Sequence, residues 1–410
     1  MTRRLAPAAG LLVALAVPGL LHSQSSSWTP VSTGVTARLR GLSAVSPRVV
    51  WASGTGGTVI RTEDGGATWT RSTIPETDKL DFRDIDAVNE GTAYVLSIGD
   101  GDASRIYKTT DAGRTWALQF RNADKQAFYD AMAFRNSRHG FACSDSVDGR
   151  LVILETDDGG AHWSRISEGL PPALENEGAF AASGTNIAID GDRIWIATSR
   201  SRVIMSADNG RRWSAVSTPV PAGPSAGLFS IAFASRDRGI VVGGDYKAEA
   251  AAADNAAVTS DGGRTWTVVK GLGGFRSAVG YVAGRSGAAA GMIAVGPNGS
   301  DYSSDGGRTW SPLNGPGFHT LSVVPDLSGH GIGRTIHEAP TVPNFYNVAQ
   351  KDVLTEGLVV AIEPIITSGS GRVVTARDGW TIRTRDGSLA AHYENTVVIT
   401  SEGPQLLTAA

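Results

Sequence analysis

One short pattern recurs six times before residue 311, and it leaves few folds open to the chain. The copies are Thr62-Glu63-Asp64-Gly65-Gly66-Ala67-Thr68-Trp69, Thr109 to Trp116, Thr156 to Trp163, Ser206 to Trp213, Thr259 to Trp266 and Ser303 to Trp310. Each has Ser or Thr, Asp two residues later, Gly two after that and Trp three after the Gly. The aspartates stand at 64, 111, 158, 208, 261 and 305, so the successive intervals are 47, 47, 50, 53 and 44. A period of this size belongs to solenoids, propellers and arrays. The segments between copies alternate apolar and polar residues in short runs, such as Val49-Val50-Trp51-Ala52 and Ile194-Trp195-Ile196-Ala197, punctuated by Gly and Asp. That is strand and turn chemistry. No amphipathic helix reads out between Trp28 and Val324. Four short strands per repeat make a propeller blade.

The pattern has a local physical reading. Glycine permits the positive dihedrals of a tight hairpin. Asp and Ser/Thr oxygens accept hydrogen bonds from loop amides. The Trp begins the next strand and packs between sheets. These acids are therefore read as structural. Ser27-Trp28-Thr29-Pro30-Val31 resembles the strand that follows each copy, and counting it gives seven Trp starts. The expectation is a mainly β chain with a seven-bladed (six to seven) β-propeller over residues 26–325, its ring closed by the N-terminal strand. Gly317 to Val324 is expected to give one strand of a short seventh blade.

The six copies resemble the Asp-box, or bacterial neuraminidase repeat. From Trp28 to Val324 the chain is similar to secreted propellers of the photosystem II stability and assembly factor family. That resemblance implies a non-enzymatic binding or assembly module with an unidentified protein or glycan partner. No Arg-Ile-Pro signature of sialidases is present.

Residues 1–25 read as a secretory signal: Arg3 and Arg4, then an apolar core from Leu11 to Leu21, then small residues near Ser23 and Ser25. The core is short for a membrane span, so no span is expected once the signal is removed. The implied location is periplasmic or extracellular. Cys143 is the single cysteine, expected to be buried and inert. A net charge of −3 argues against nucleic acid as a partner. Thr73 to Lys79, Pro219 to Pro224 and the alanine-rich stretch Ala248 to Ala257 read as loops.

Near Asp326 the character changes. The stretches Gly329-His330-Gly331-Ile332-Gly333-Arg334, His337-Glu338-Ala339-Pro340, Ile362-Glu363-Pro364, Asp378-Gly379-Trp380-Thr381 and Asp386 to Thr396 resemble the last part of type I methionine aminopeptidases. Residues 328–410 are thus read as a partial pita-bread α+β metallopeptidase segment, mostly strands. The resemblance implies His330, Glu363 and Glu394 as metal ligands and His337 as the histidine that contacts substrate and steadies the tetrahedral intermediate. Glu363 would also transfer protons. The implied cofactor is a divalent metal (Co, Mn, Fe or Zn), and the implied substrate is a peptide with an N-terminal Met. An enzyme of this kind takes two further aspartate ligands and another histidine from a first half for which the sequence before Ser328 shows only propeller repeats. The segment is expected to be inactive as it stands, joined to the propeller as a fusion. Methionine removal would place the chain in the cytoplasm, against the export signal.

Overall fold

The computed structural model describes residues 28–283 and 289–323 and, beyond them, 328–331, 338–343, 358–362, 365–367, 373–375, 382–385, 390–392, 395–400 and 403–406. The chain divides into two units, one built on the repeats and one on the strands after Ser328.

The repeat unit is a propeller of six blades, each a four-stranded antiparallel meander. Their first strands are Leu39–Ala44, Asp81–Ala87, Tyr129–Phe134, Ile187–Asp190, Ala226–Phe233 and Ala278–Ala283. First strands of neighbouring blades pack against one another, so they are the innermost strands of the ring. The count falls at the lower end of the expected range.

The Asp-box works as a folded clip. In the first copy Thr62 Oγ1 donates to Asp64 Oδ1 at 2.7 Å and accepts from Gly66 N at 2.9 Å. Asp64 in turn accepts from Thr68 N at 2.9 Å and Thr68 Oγ1 at 2.6 Å. The same bonds recur at 109–115, 259–265 and 303–309, with His162 and Arg212 taking the Thr68 position in the other two copies. The Thr68 hydroxyl and amide hold the Asp64 carboxyl down at about 2. Two successive residues in each copy have positive φ, for example Gly65 at 74° and Gly66 at 95°, which explains the glycine pair; Ala112 and Asn209 tolerate the first of these positions.

Each Trp of the pattern immediately precedes an outer strand and wedges into a seam. Trp116 packs with the cores of blades 1 and 2, edge-on to Trp51 at 6.0 Å. Trp163, Trp213, Trp266 and Trp310 fill the next four seams in order.

The innermost strand of each blade offers an edge whose amides need acceptors. Side chains from the preceding blade supply them. Ser43 Oγ of blade 1 accepts from Ala87 N of blade 2 at 3.0 Å. Asp84 and Asp86 of blade 2 accept from Met132 N and Phe134 N of blade 3 at 2.7 and 2.6 Å. Ser230 of blade 5 serves Val279 N of blade 6 at 3.1 Å. Blade 1 has no blade before it in the chain, and Ser322 Oγ fills that part by accepting from Ala44 N at 2.9 Å.

Here the structure departs from the expected closure. Neither Trp28 to Arg38 nor Gly315 to Val323 forms a strand. Both are irregular and pack into the remaining seam. Trp28 meets Phe318 at 4.7 Å and, with Leu321 and Val323, covers the core of blade 6. Val31 and Val35 join Trp69 over the core of blade 1. Apolar packing plus one serine hydroxyl thus closes the seam without a seventh sheet. Of the expected loops, Thr73 to Lys79 and Pro219 to Pro224 are irregular, whereas Ala256 and Ala257 begin the third strand of blade 5. Cys143 is buried and free.

The second unit holds a five-stranded sheet in the order Glu338–Pro343, Ser328–Gly331, Val359–Ile362, Asn395–Thr400, Gly403–Leu406, and two short pairs, Ile365–Thr367 with Ala390–His392 and Val373–Thr375 with Ile382–Thr384. The sequence reads as strand over Leu358 to Ile366, Trp380 to Arg385 and Thr396 to Thr400, and the described strands there are Val359–Ile362, Ile365–Thr367, Ile382–Thr384 and Asn395–Thr400. The signal segment and Asp386-Gly387, which reads in the sequence as a turn, lie outside the described residues.

Blade 6 carries a buried ion pair: Arg276 Nε and Nη2 reach Asp301 Oδ2 at 2.7 and 2.6 Å, with both side chains at 3% exposure or less. Asp301→Ala strands the guanidinium and is expected to destabilise the protein by about 3–5 kcal/mol. The double change Arg276→Met with Asp301→Leu should cost less than the single one, as read by urea denaturation of the full chain.

Candidate functional site

A cavity of about 830 Å³ is lined by the inner strands and their loops. Its chemistry comes from a repeated irregularity. The pairing of first and second strands skips one residue in four blades: Arg40, Arg83, Asp130 and Phe229. A fifth skip, between the second and third strands of blade 3, falls at Asp145. A bulge leaves its extra residue outside the ladder and re-aims the side chain. All five bulge residues line the cavity.

The segment Gly178 to Asn186, between blades 3 and 4, ties the inner strands together. Arg83 Nη1 donates to Ala181 O at 2.8 Å and Arg40 Nη1 to Ala182 O at 3.5 Å. Ser183 Oγ donates to Ser277 O at 2.8 Å, and Thr320 Oγ1 donates to Ser183 O at 3.1 Å. Ile231 N reaches Thr185 O at 3.0 Å, and Ser199 N reaches Gly178 O at 2.8 Å. A side chain at Gly184 would collide with Asp84, its Cβ 2.2 Å from Oδ1, so this close approach requires glycine.

One part of the lining is cationic. Arg83 shares its charge with Asp81 at 3.0 Å. Arg40 has only the Ala182 carbonyl as a hydrogen-bond partner among the described residues, and burial followed by Arg83 and Arg38 pushes its guanidinium down to about 10. His319, from the closing segment, lies in the same field. Burial, then Arg40, Arg83 and Arg38, push its imidazole down to about 4. Another part of the lining is aromatic: Phe180 stacks on Phe229 at 4.0 Å, and Phe275 meets Phe229 edge-on at 4.6 Å. Tyr246 stands edge-on to both Phe180 and Phe229.

In the sequence Arg202, Arg236 and His319 read as solvated or packing side chains. The structure pairs Arg202 with the buried Glu177 and Arg236 with Asp192, but it places His319 in the cavity lining. The bulge residues were missed. Their signal is a doubled step in the alternation, as in Leu39-Arg40-Gly41-Leu42 and Phe82-Arg83-Asp84-Ile85.

In the second unit the residues implied as metal ligands are only partly described. His330 lies on Ser328–Gly331, opposite Thr341 on one side and Ala361 on the other. Ile362 pairs with Asn395, the sequence neighbours of Glu363 and Glu394. Glu363, Glu394 and His337 lie outside the described residues. One imidazole and two carboxylates suit a divalent ion in donor type. Two ions at four or more ligands each, even sharing a water, need more donors than these three. The described residues contain no cluster of three or more His, Cys, Asp or Glu that could hold a metal.

The fold and cavity define an Asp-box propeller carrying a separate strand-rich unit. Residues 119–312 match the family model described as photosynthesis system II assembly factor YCF48, and residues 257–401 match that of metallopeptidase family M24. Within the overlap of the two, 257–312, the described strands belong to blades 5 and 6. The C-terminal part is 56% identical over 88 residues to a methionine aminopeptidase of Clostridium perfringens, covering 22% of this chain and 35% of that protein. The chain therefore spans about a third of the length of the curated relatives it matches. Similar solved structures include YCF48 from Cyanidioschyzon merolae (18% identity, TM-score 0.49, 71% of this chain and 91% of that one). Another is YCF48 bound to a D1 peptide (17% identity, TM-score 0.49, 74% and 88%). Among the described residues no helix is long and apolar enough to cross a membrane.

The histidine gives a test. Its folded value lies below the ordinary 6.5, so the unfolded chain binds the proton first as pH falls. Stability contributed by neutral His319 is complete above about 6.5 and is lost as pH falls towards about 4. The melting temperature of His319→Gln is expected to fall less steeply across that window than that of the parent protein.

Proposed function

We propose that the chain is a peptide-binding module, its propeller cavity receiving a segment that carries an anionic group. One observation supports this most directly. Arg40, on a bulge outside the ladder, has no carboxylate in ion-pair range among the described residues, and Arg83 stands close enough to depress it. A half-buried guanidinium in that position is stabilised by an arriving carboxylate, which it can bind through two parallel bonds. The cavity volume suits a few residues of extended peptide. A carboxylate accounts for the paired guanidiniums better than a neutral glycan does. The likeness to the assembly-factor family agrees with a binding role.

The second unit is proposed to be an inactive piece of a methionine aminopeptidase, brought in by fusion. His330, Glu363 and Glu394 retain the donor types for a divalent metal, with His337 in a substrate-contacting role. Without more oxygen donors they do not hold a metal pair, so removal of N-terminal Met is not the activity of this chain. Export to a periplasmic or extracellular space fits a binding module and remains part of this proposal.

Titration of the full chain with acetyl-Ala-Ala-Ala-Glu and its C-terminal amide tests the binding role. Arg40→Gln and Arg83→Gln are each expected to weaken the acid peptide about tenfold. Equal affinity in parent and variants removes the reading. For the second unit, hydrolysis of Met-Ala-Ser by the full chain with Co or Mn is expected to match the His330→Ala control, and a faster rate overturns the proposed inactivity.

A further inference from the structure

Blade 3 presents acids where blades 1 and 2 present arginines. Asp130 is its inner-strand bulge, and Asp145, on the neighbouring strand, is a second bulge. Both line the cavity. Asp130 is 1% exposed, yet its Oδ2 has no hydrogen-bond partner. A buried carboxyl oxygen left without a donor is costly, and a native protein that retains one calls for an explanation. Among the described residues the backbone donor acting on each carboxyl is the Ala179 amide, which both share. Burial, reinforced by Asp145, pushes Asp130 well up, and burial pushes Asp145 up to about 6. Neither carboxyl forms an ion pair among the described residues, and Arg83 on the cationic part of the lining is paired with Asp81 instead.

The surroundings narrow the ligand. A metal ion would want a third hard or imidazole donor, and no such cluster exists among the described residues. Phe128, whose carbonyl accepts from Asp145 N at 3.0 Å, lines the cavity beside them, as does Phe180, next in sequence to Ala179. Two carboxyl groups with aromatic rings nearby suit an organic cation, whose charge favours their ionised form.

We propose that Asp130 and Asp145 form a cation subsite for an ammonium or guanidinium group, so that the cavity selects a bipolar peptide with a basic group here and an acidic group at Arg40 and Arg83. The proposal rests on the anion-binding reading above and specifies its ligand. The orphaned Asp130 oxygen becomes an acceptor for the incoming N–H. The ligand's two charged groups meet basic and acidic side chains held by the ladder on neighbouring blades, and the arriving cation favours the ionised form of the two raised carboxyls.

The test uses the full chain and acetylated peptides in which a lysine stands at varied spacing before a C-terminal glutamate, each paired with its norleucine counterpart. At the best spacing the lysine peptide is expected to bind about tenfold more tightly than the norleucine one. Asp130→Asn and Asp145→Asn should each erase that advantage, so that lysine and norleucine peptides bind each variant alike. The lysine–norleucine comparison in the parent protein needs no variant to fold. Equal binding of the two peptides at every spacing overturns the cation subsite. If those peptides still lose affinity in Arg40→Gln, the anion reading survives alone; if no peptide binds the parent protein, both fall.

Discussion

A propeller blade must satisfy the inner edge of its first strand, and it cannot do so by itself. In this ring the acceptors come from the blade before: Ser43 for Ala87, Asp84 and Asp86 for Met132 and Phe134, Ser230 for Val279. The arrangement has a direction, and a directional chain of acceptors needs a first member. Ser322 provides it for Ala44. The stretch around Ser322 lacks strand geometry yet does what an inner strand would do for blade 1. The ring therefore closes on one hydroxyl and a patch of side chains, Trp28 and Phe318 among them, in place of a sheet.

The same geometry explains the burial of Asp84. It is fully enclosed, its carboxyl is pushed well up by burial, and it is held against the glycine at 184. The Met132 amide offsets part of the cost of an acid in that setting. The Gly178 to Asn186 segment then adds carbonyls for Arg40 and Arg83 and hydroxyls for blades 5 and 6. Cavity and scaffold are built by the same residues.

Much of the fold was legible. The Ser/Thr, Asp, Gly and Trp of each copy state the clip and the wedge, because both are local and recur at a fixed period. Closure was not legible in the same way. Trp28 was read as the start of a closing strand; its side chain does pack in the closing seam, but a lone Trp does not disclose whether its backbone pairs. The cavity was less legible still. A bulge shows in sequence only as a doubled step, and Tyr129-Asp130-Ala131-Met132 looks like ordinary strand until its partner is known. His319 carried no signal, since its environment comes from arginines more than two hundred residues away in sequence. In the second unit, resemblance gave the residues, and the described strands place His330 without its implied co-ligands.

The bulges also separate two properties that most binding proteins must trade against each other. Arg40, Arg83, Asp130 and Phe229 hang from positions skipped by the strand pairing. Exchanging one of these side chains leaves the ladder's registry intact, although at Asp130 and Phe229 the buried neighbours must also be accommodated. A lineage built on this frame can drift from one ligand preference to another by isolated codon changes, with the wheel itself inherited whole.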